Sequence, residues 1–187
     1  MIYVIDHNDS FTFNLVHLLA LYDDVVVTNY KKIDRSYIRK SHLVVFSPGP
    51  GHPKNYTETI SLYKSIKNNK KILGVCLGFQ IILYSEKAKI VPKKYIQHGY
   101  KSKVKVNNSS LIFKNNTMFS VANYNSLKLL EPFKSEEINI TMRDTENNVA
   151  MALENMIEMN YSISLKADEI ELFQSAGQFS LLRGLPS

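Results

Sequence analysis

Residues 71–80 read KILGVCLGFQ and decide the fold that we predict for this chain. An apolar run leads into Gly-x-Cys-x-Gly and a second apolar run follows at 81–84, which predicts a buried strand, a sharp turn and a helix. Gly74 and Gly78 flank the turn because a corner this tight leaves no room for side chains. The stretch is therefore interpreted as a nucleophile elbow, with Cys76 where the hydrolase version has serine.

Cys76 is predicted at the N-terminal end of the helix that follows the turn. The positive end of a helix dipole favours a thiolate there, and the thiolate is the reactive form of cysteine. The backbone N–H of Leu77 would point at a developing oxyanion. A buried cysteine with only a structural role explains the same pattern, so the motif by itself leaves both interpretations open.

The first half of the chain alternates apolar strands with helical segments. Strands are predicted at 1–5, 24–28, 42–47 and 71–75, with helices at 11–21, 30–40 and 56–68. This alternation predicts an α/β fold with an open, mostly parallel, doubly wound sheet of the flavodoxin-like kind.

The second half changes character and is rich in short apolar runs between turns. Runs at 104–106, 138–142, 149–153 and 161–165 predict short strands, which we expect as antiparallel additions to one edge of the sheet. Residues 168–183 are predicted to form a final helix. No linker or internal repeat interrupts the sequence, so we expect a single domain over residues 1–187.

Composition narrows the classes of function. The net charge of +6 comes from scattered lysines, without a basic tail or an aromatic RNA signature, so we expect no nucleic-acid partner. No apolar run is long enough for a membrane span, and the first residues have no signal-peptide layout. A single cysteine fits a reducing cytoplasm. There is no zinc-ligand spacing, and we expect no metal.

The loop PGPGHP, residues 48–53, follows the third predicted strand. Sites in open α/β sheets form at the carboxyl ends of the strands, so this loop and the elbow should lie on one edge. The prolines stiffen the loop, while Gly49 and Gly51 let its backbone approach a ligand. A rigid loop beside the elbow would supply a second oxyanion donor, although a plain Pro-Gly turn remains an alternative.

Five motifs occur in a specific order along the first 130 residues. They are Asp-x-x-Asp-Ser-Phe-Thr-x-Asn (6–14), Ser-Pro-Gly-Pro-Gly-x-Pro (47–53), Gly-Val-Cys-Leu-Gly-x-Gln (74–80), His-Gly (98–99) and Tyr-x-Ser-Leu (124–127). This set resembles the class I (triad) glutamine amidotransferases, and most closely the small glutaminase subunits of anthranilate synthase and aminodeoxychorismate synthase. The resemblance implies hydrolysis of glutamine to glutamate and ammonia. It also implies delivery of ammonia to a chorismate-using synthase subunit (component I), with no cofactor in this subunit.

The resemblance also implies roles for individual residues. Cys76 would form a glutamyl thioester, with Leu77 and Gly51 as the oxyanion donors. The residues implied in glutamine binding are Gly49, Pro50, Gly51, Gln80, Ser126 and Leu127. Three positions depart from the family: Phe79 replaces a histidine, and residues 123–127 read Asn-Tyr-Asn-Ser-Leu instead of Arg-Tyr-His-Ser-Leu, with Asn123 for Arg and Asn125 for His.

A larger departure lies near the C-terminus. The family has its catalytic His and Glu in a Phe-His-Pro-Glu-Ser stretch, and the best match here puts Lys166 at the His position and Asp168 at the Glu position. The last histidine in the chain is His98, so no alignment supplies the late base. Lys166 could hold Cys76 as a thiolate, but a lysine that is cationic at neutral pH is a poor base. We therefore expect an impaired glutaminase.

Three alternatives stay open from the sequence. His52 could substitute for the missing base, although a position at the tip of the glycine loop predicts an exposed surface histidine. The chain could be a non-catalytic pseudo-amidotransferase that stabilises its synthase partner. A flavodoxin-like module is a weaker alternative, because Asp6 and Asp9 would repel a phosphate after the first strand. The residues do not decide between the folate-branch and the tryptophan-branch partner, with a slight preference for aminodeoxychorismate synthase.

Overall fold

The computed structural model describes residues 1–93, 100–107, 110, 112–123, 126–155 and 163–165. The first half contains strands β1 (Ile2–Asp6), β2 (Val25–Asn29), β3 (Leu43–Phe46) and β4 (Lys71–Val75). Its helices are α1 (Thr12–Leu19), α2 (Arg35–Lys40), α3 (Thr57–Ile66) and α4 (Leu77–Ser85). The strands of the second half are β5 (Ile90–Pro92), β6 (Tyr100–Val106), β7 (Met118–Asn123), β8 (Leu127–Leu129), β9 (Ile138–Asp144), β10 (Ala150–Asn155) and β11 (Ile163–Leu165).

Nine of the described strands form one mixed sheet in the order β2-β1-β3-β4-β11-β10-β9-β6-β7. Neighbours from β2 to β11 run parallel, whereas each later pair, from β11–β10 onward, is antiparallel. Strands β5 and β8 pair antiparallel in a separate small sheet. The α/β class, the mostly parallel sheet and the antiparallel additions at one edge are therefore confirmed.

Alternate residues of β1 show that helices cover both faces of the sheet. Ile2 and Val4 pack in one core cluster with Leu15 and Leu19 of α1. Residues on the opposite face, with partners from α2, α3 and α4, form a second cluster that contains Tyr3, Ile5, Ile38, Leu62 and Ile82. A strand buried on both faces has a continuous apolar sequence, which is why residues 2–5 read IYVI.

Strand β11 corrects one sequence-based expectation. The run at 161–165 was expected among the antiparallel additions, but β11 runs parallel to β4, with Ile163 opposite Leu73 and Leu165 opposite Val75. Three residues of strand sequence carry no information about direction, because the partner is chosen by long-range pairing. β11 is therefore the last parallel strand, inserted between the elbow strand and the antiparallel half.

Other differences are local. The predicted helix at 30–40 is a 3₁₀ turn at Tyr30–Lys32 followed by α2, because Asp34 accepts a hydrogen bond from the Ser36 N–H (2.7 Å) and starts a new helix. Strands β5, β7 and β8 were not predicted. The helix expected at 168–183 lies outside the described residues. Within the described ranges, no helix combines the length and the apolar character needed to cross a membrane.

Candidate active site

One cavity of about 270 Å³ lies at the carboxyl edge of the parallel strands. Cys76 lines this cavity together with every residue predicted to bind glutamine, namely Gly49, Pro50, Gly51, Gln80, Ser126 and Leu127. The volume lies near the lower end of ligand pockets, which suits a ligand of amino-acid size. The glycine loop and the elbow therefore share an edge, as the sequence predicted.

Cys76 has an unusual backbone conformation. Its φ of 53° and ψ of −103° lie outside the regions that residues with a side chain prefer. Such a conformation costs about 1–3 kcal/mol and persists only where surrounding structure imposes it. The Gln80 N–H donates to the Cys76 carbonyl at 3.1 Å as the first bond of α4, so the preceding amides, including that of Leu77, have no partner within the helix. The elbow thus presents a thiol beside backbone donors.

The two elbow glycines are required by close backbone contacts. A Cβ on Gly78 would lie 2.2 Å from the carbonyl oxygen of Phe46 at the end of β3. A Cβ on Gly74 would lie 2.7 Å from the carbonyl carbon of Gly78. Strand β3, strand β4 and α4 therefore meet backbone to backbone, which confirms the tight corner expected from the sequence.

The glycine loop is fixed by hydrogen bonds to its own carbonyls. The Ser47 hydroxyl donates to the Pro48 carbonyl (2.6 Å), and the Tyr56 hydroxyl donates to the Pro50 carbonyl (2.8 Å). Gly51 adopts a φ of +78°, and the nearest atom to a Cβ there would be the Asn55 amide nitrogen at 3.9 Å. Gly51 therefore needs glycine for its backbone conformation and not for space.

His52 is not the exposed loop-tip residue that the sequence predicted. It is half-buried, and its Nδ1 accepts from the Lys54 N–H (3.1 Å). Its Nε2 lies 3.2 Å from the Ile90 carbonyl, which requires an N–H at Nε2, and its ring packs edge-on against Tyr84. Both ring nitrogens are occupied, so His52 anchors the loop to β5 and is a poor candidate for the missing base.

His7, directly after β1, belongs to this edge although sequence reasoning passed over it. Its imidazole is fully buried. The Nδ1 lies 3.2 Å from the Ser47 hydroxyl and the Nε2 lies 3.0 Å from the Thr59 hydroxyl. Burial lowers the pKa of His7 from 6.5 to about 4, against smaller opposing effects of a hydrogen bond with the Ser47 backbone and of the Asp6 charge. The ring is therefore neutral at neutral pH.

We expect the stability of the protein to fall between pH 6.5 and 4 because of His7. The unfolded chain binds a proton with a pKa near 6.5 that the folded chain excludes until about pH 4, so the free energy of unfolding decreases as the pH falls through this window. The full effect is about 3 kcal/mol. Urea unfolding of the protein and of the variant His7→Asn at pH 7, 6, 5 and 4 measures it.

The difference between these two proteins isolates the contribution of His7, because carboxylates titrate in both. The charged group facing the ring is Asp6, and its other titratable neighbours are Tyr30 and Tyr56. Parallel stability curves for the protein and the variant would contradict the prediction.

Four further residues line the cavity but were not assigned to it from the sequence: Pro48 in the glycine loop, and Asp9, Ser10 and Phe11 in the loop after β1. Asp9 accepts a hydrogen bond from the Phe11 N–H (2.9 Å), which orders the loop after β1. For Asp9, Ser10 and Phe11, the sequence signal for a place in the cavity was their position after β1, because that strand ends at the same edge of the sheet as the elbow.

The remaining two predicted catalytic residues, Lys166 and Asp168, lie outside the described residues. The strand that precedes them does not: Leu165, the last residue of β11, pairs with Val75, the residue before Cys76. Two parallel strands in this register end at the same edge of the sheet. Lys166 and Asp168 are therefore preceded in the sequence by a strand that lies beside the elbow strand β4.

The fold and the site define a class of protein: doubly wound α/β proteins with a cysteine elbow at the carboxyl edge of the sheet. Comparison with known proteins agrees. The family model of class-I glutamine amidotransferases matches residues 3–162. Anthranilate synthase component 2 of Lactococcus lactis subsp. lactis (strain IL1403) is 34% identical over 172 residues, covering 91% of this chain and 87% of that protein. The chain belongs to the class-I glutamine amidotransferase family.

A second relative supports this membership, and a solved structure shares the fold. Anthranilate synthase component 2 of Pyropia yezoensis is 36% identical over 155 residues, covering 81% of this chain and 82% of that protein. The crystal structure of a glutamine amidotransferase from Thermotoga maritima covers 88% of this chain and 73% of that chain, with a TM-score of 0.67 and 15% identity. This last likeness concerns the fold alone. The resemblance inferred from the ordered motifs is thereby confirmed.

Proposed function

We propose that this chain is a single-domain glutaminase subunit that releases ammonia from glutamine and supplies it to a synthase subunit. The observation that carries the proposal is the strained Cys76 at the start of α4, in one cavity with the glycine loop and Gln80. A cavity of this size, lined by backbone groups and an amide side chain, suits a small polar ligand such as glutamine. Strain at a cysteine beside helix-terminal amides is typical of a reactive site.

The proposed chemistry needs only protein groups and water. The Cys76 thiolate attacks the side-chain amide carbon of glutamine, and the N–H groups of Leu77 and Gly51 stabilise the resulting oxyanion. Ammonia leaves with a proton supplied to its nitrogen, which forms the glutamyl thioester. Water then attacks the thioester carbon and releases glutamate and the Cys76 thiol. No bound cofactor enters either step.

The proton transfers limit this chain in our proposal. A thiol must lose a proton before attack and the leaving nitrogen must gain one, tasks that a histidine performs near neutral pH. Lys166 and Asp168 replace the family's His and Glu, and the match of the family model ends at residue 162. We propose that Lys166 stabilises the thiolate without acting as a base, so that activity is low.

The partner that we propose is a chorismate-using component I. The relatives named above are called anthranilate synthase component 2, which makes anthranilate synthase component I the first partner to test. Aminodeoxychorismate synthase, slightly preferred from the sequence, is the second partner to test. The residues of the site favour neither.

The test is the labelling of Cys76 with 6-diazo-5-oxonorleucine, an electrophilic analogue of glutamine. We expect selective but slow labelling of Cys76 in the folded protein, because the elbow is formed and the late histidine is absent. Mass spectrometry of peptides locates the label, and an excess of glutamine should protect Cys76. The variant Cys76→Ala is the matched control and should take up no label.

Alkylation by iodoacetamide shows whether the Cys76 thiol is accessible. It therefore distinguishes an inaccessible thiol from an accessible one in a site that does not bind glutamine. Cys76 that reacts with iodoacetamide but resists the glutamine analogue, with component I present, would contradict a glutaminase role and favour the pseudo-amidotransferase alternative. Ammonia release from glutamine, measured with and without component I, distinguishes the same two alternatives by catalytic turnover. In the pseudo-amidotransferase case, component I would be stabilised by this chain while only free ammonia supports its reaction.

A further inference from the structure

His7 has no place in the proposed chemistry, yet its side chain is fully buried at the active-site edge. Its ring packs between aromatic residues, at 5.8 Å from Tyr30, 6.4 Å from Phe46 and 5.1 Å from Tyr56, measured between ring centres. A buried imidazole is costly unless both nitrogens have partners, and here both have. This arrangement requires an explanation beyond packing.

The hydrogen bonds around His7 are consistent with only one tautomer. The Ser47 hydroxyl gives its proton to the Pro48 carbonyl (2.6 Å), so its oxygen can only accept from His7. It accepts from the His7 backbone N–H (2.9 Å), and the second contact, at 3.2 Å, must come from a proton on Nδ1. The Nε2 is then an acceptor for the Thr59 hydroxyl at 3.0 Å. The hydrogen bonds therefore form a chain in which Thr59 donates to His7, His7 donates to Ser47, and Ser47 donates to the Pro48 carbonyl.

We infer that His7 is the positioning residue of the glycine loop: its neutral Nδ1–H form orients the Ser47 hydroxyl, which fixes the Pro48 carbonyl and hence the backbone of residues 49–51 toward glutamine. This inference rests on the proposed function. It assigns His7 to the binding of glutamine and not to the reactivity of the thiol.

Gly49 of the glycine loop lies close to both His7 and Leu77 of the elbow. A Cβ on Gly49 would lie 2.6 Å from the His7 Cβ and 2.3 Å from the Leu77 side chain, so the loop backbone lies close against both. A displaced Ser47 would therefore move the loop relative to α4, and with it the Gly51 N–H and the cavity wall. The Cys76 conformation is set separately by the β3, β4 and α4 contacts.

Two substitutions separate the two hydrogen bonds of the ring. The amide of His7→Asn places an N–H near the Nδ1 position and keeps the bond to Ser47, while that of His7→Gln reaches the Nε2 position and keeps only the bond to Thr59. We expect His7→Asn to retain the rate of Cys76 labelling by 6-diazo-5-oxonorleucine within about threefold, and His7→Gln to lose about tenfold. The rate of labelling by iodoacetamide should stay unchanged in both.

Thr59→Val is the matched control, because it removes the hydroxyl at Nε2 and leaves the Ser47 side intact. We expect it to lower stability but to leave the ratio of the two labelling rates unchanged. Equal ratios for His7→Gln and the unmodified protein, or a loss in His7→Asn without a loss in His7→Gln, would overturn the inference. If His7→Gln does not fold, Ser47→Ala removes the same bond and is expected to show the same loss.

A second measurement does not depend on glutaminase activity. Nitrogen NMR of the unmodified protein at pH 7 should report a pyrrole-type Nδ1 and a pyridine-type Nε2 for His7, and the opposite tautomer or a charged ring would overturn the inference. If the glutamine analogue labels no variant while NMR finds this tautomer, the proposed function has failed and the positioning of the loop stands. Amide exchange at Gly49 and Gly51 should then be faster in His7→Gln than in His7→Asn.

Discussion

Replacing Lys166 by His together with Asp168 by Glu is expected to raise ammonia release from glutamine by about 10²–10⁴-fold, the usual contribution of a general acid-base group. The thioester forms only after Cys76 loses its proton, and ammonia leaves only after gaining one. Backbone oxyanion donors help both steps but transfer no proton. A cationic lysine holds a thiolate but is then unable to accept its proton. The measurement is steady-state ammonia release with component I present.

The controls for this experiment are single substitutions and a variant that lacks the Cys76 nucleophile. Asp168→Glu alone should have little effect, because there is no imidazole for the carboxylate to orient. The family has a proline at the position of Ala167, so Ala167→Pro is a further substitution to add to the double variant. Cys76→Ala in the same background should abolish the gain. A turnover of about 1 s⁻¹ or above in the unmodified chain would contradict the impairment and point to a different base. His52→Ala should leave the pH dependence of ammonia release unchanged, because both nitrogens of His52 are occupied and its loss would affect only the anchoring of the glycine loop.

The sequence predicts those parts of the site that are determined by residues close together in the chain. Residues 71–80 contain the strand, the turn and the start of the helix within ten positions, and two glycines mark where backbone contacts backbone. The loop at 48–53 follows from its prolines and glycines in the same way. Parallel strands then bring separate loops to one edge by geometry alone, so the cavity with Gln80 could be predicted without knowing side-chain contacts.

The unpredicted features depend on contacts between segments distant in sequence. The direction of β11 is decided by its pairing with β4, about 90 residues earlier. His52 is a surface residue by loop chemistry, but the Ile90 carbonyl of a short unpredicted strand draws it inward. His7 has no local signal at all, because its partners Ser47 and Thr59 come from β3's end and α3. Side-chain partners of this kind are fixed by tertiary structure and not by periodicity.

Gly78→Ala is expected to lower the free energy of unfolding by about 3 kcal/mol or more. A Cβ there would lie 2.2 Å from the Phe46 carbonyl oxygen and 2.8 Å from the Phe46 carbonyl carbon, distances that only a movement of backbone relieves. The helix α4 must therefore separate from β3, which breaks the packing of Phe79 and Ile82, both fully buried. The same movement should disturb Cys76. Urea titration followed by circular dichroism measures the loss.

The matched control is Gly51→Ala, which makes the same chemical change at a glycine with open space. The nearest atom to its Cβ would be the Asn55 amide nitrogen at 3.9 Å, so the only cost is the φ of +78°. That conformation costs an alanine about 1–2 kcal/mol, less than the backbone collision at Gly78. If the two variants lose equal stability, or if Gly78→Ala unfolds within about 1 kcal/mol of the unmodified protein, the elbow tolerates a side chain. The corner between β4 and α4 would then be held by something other than the contact of α4 with β3.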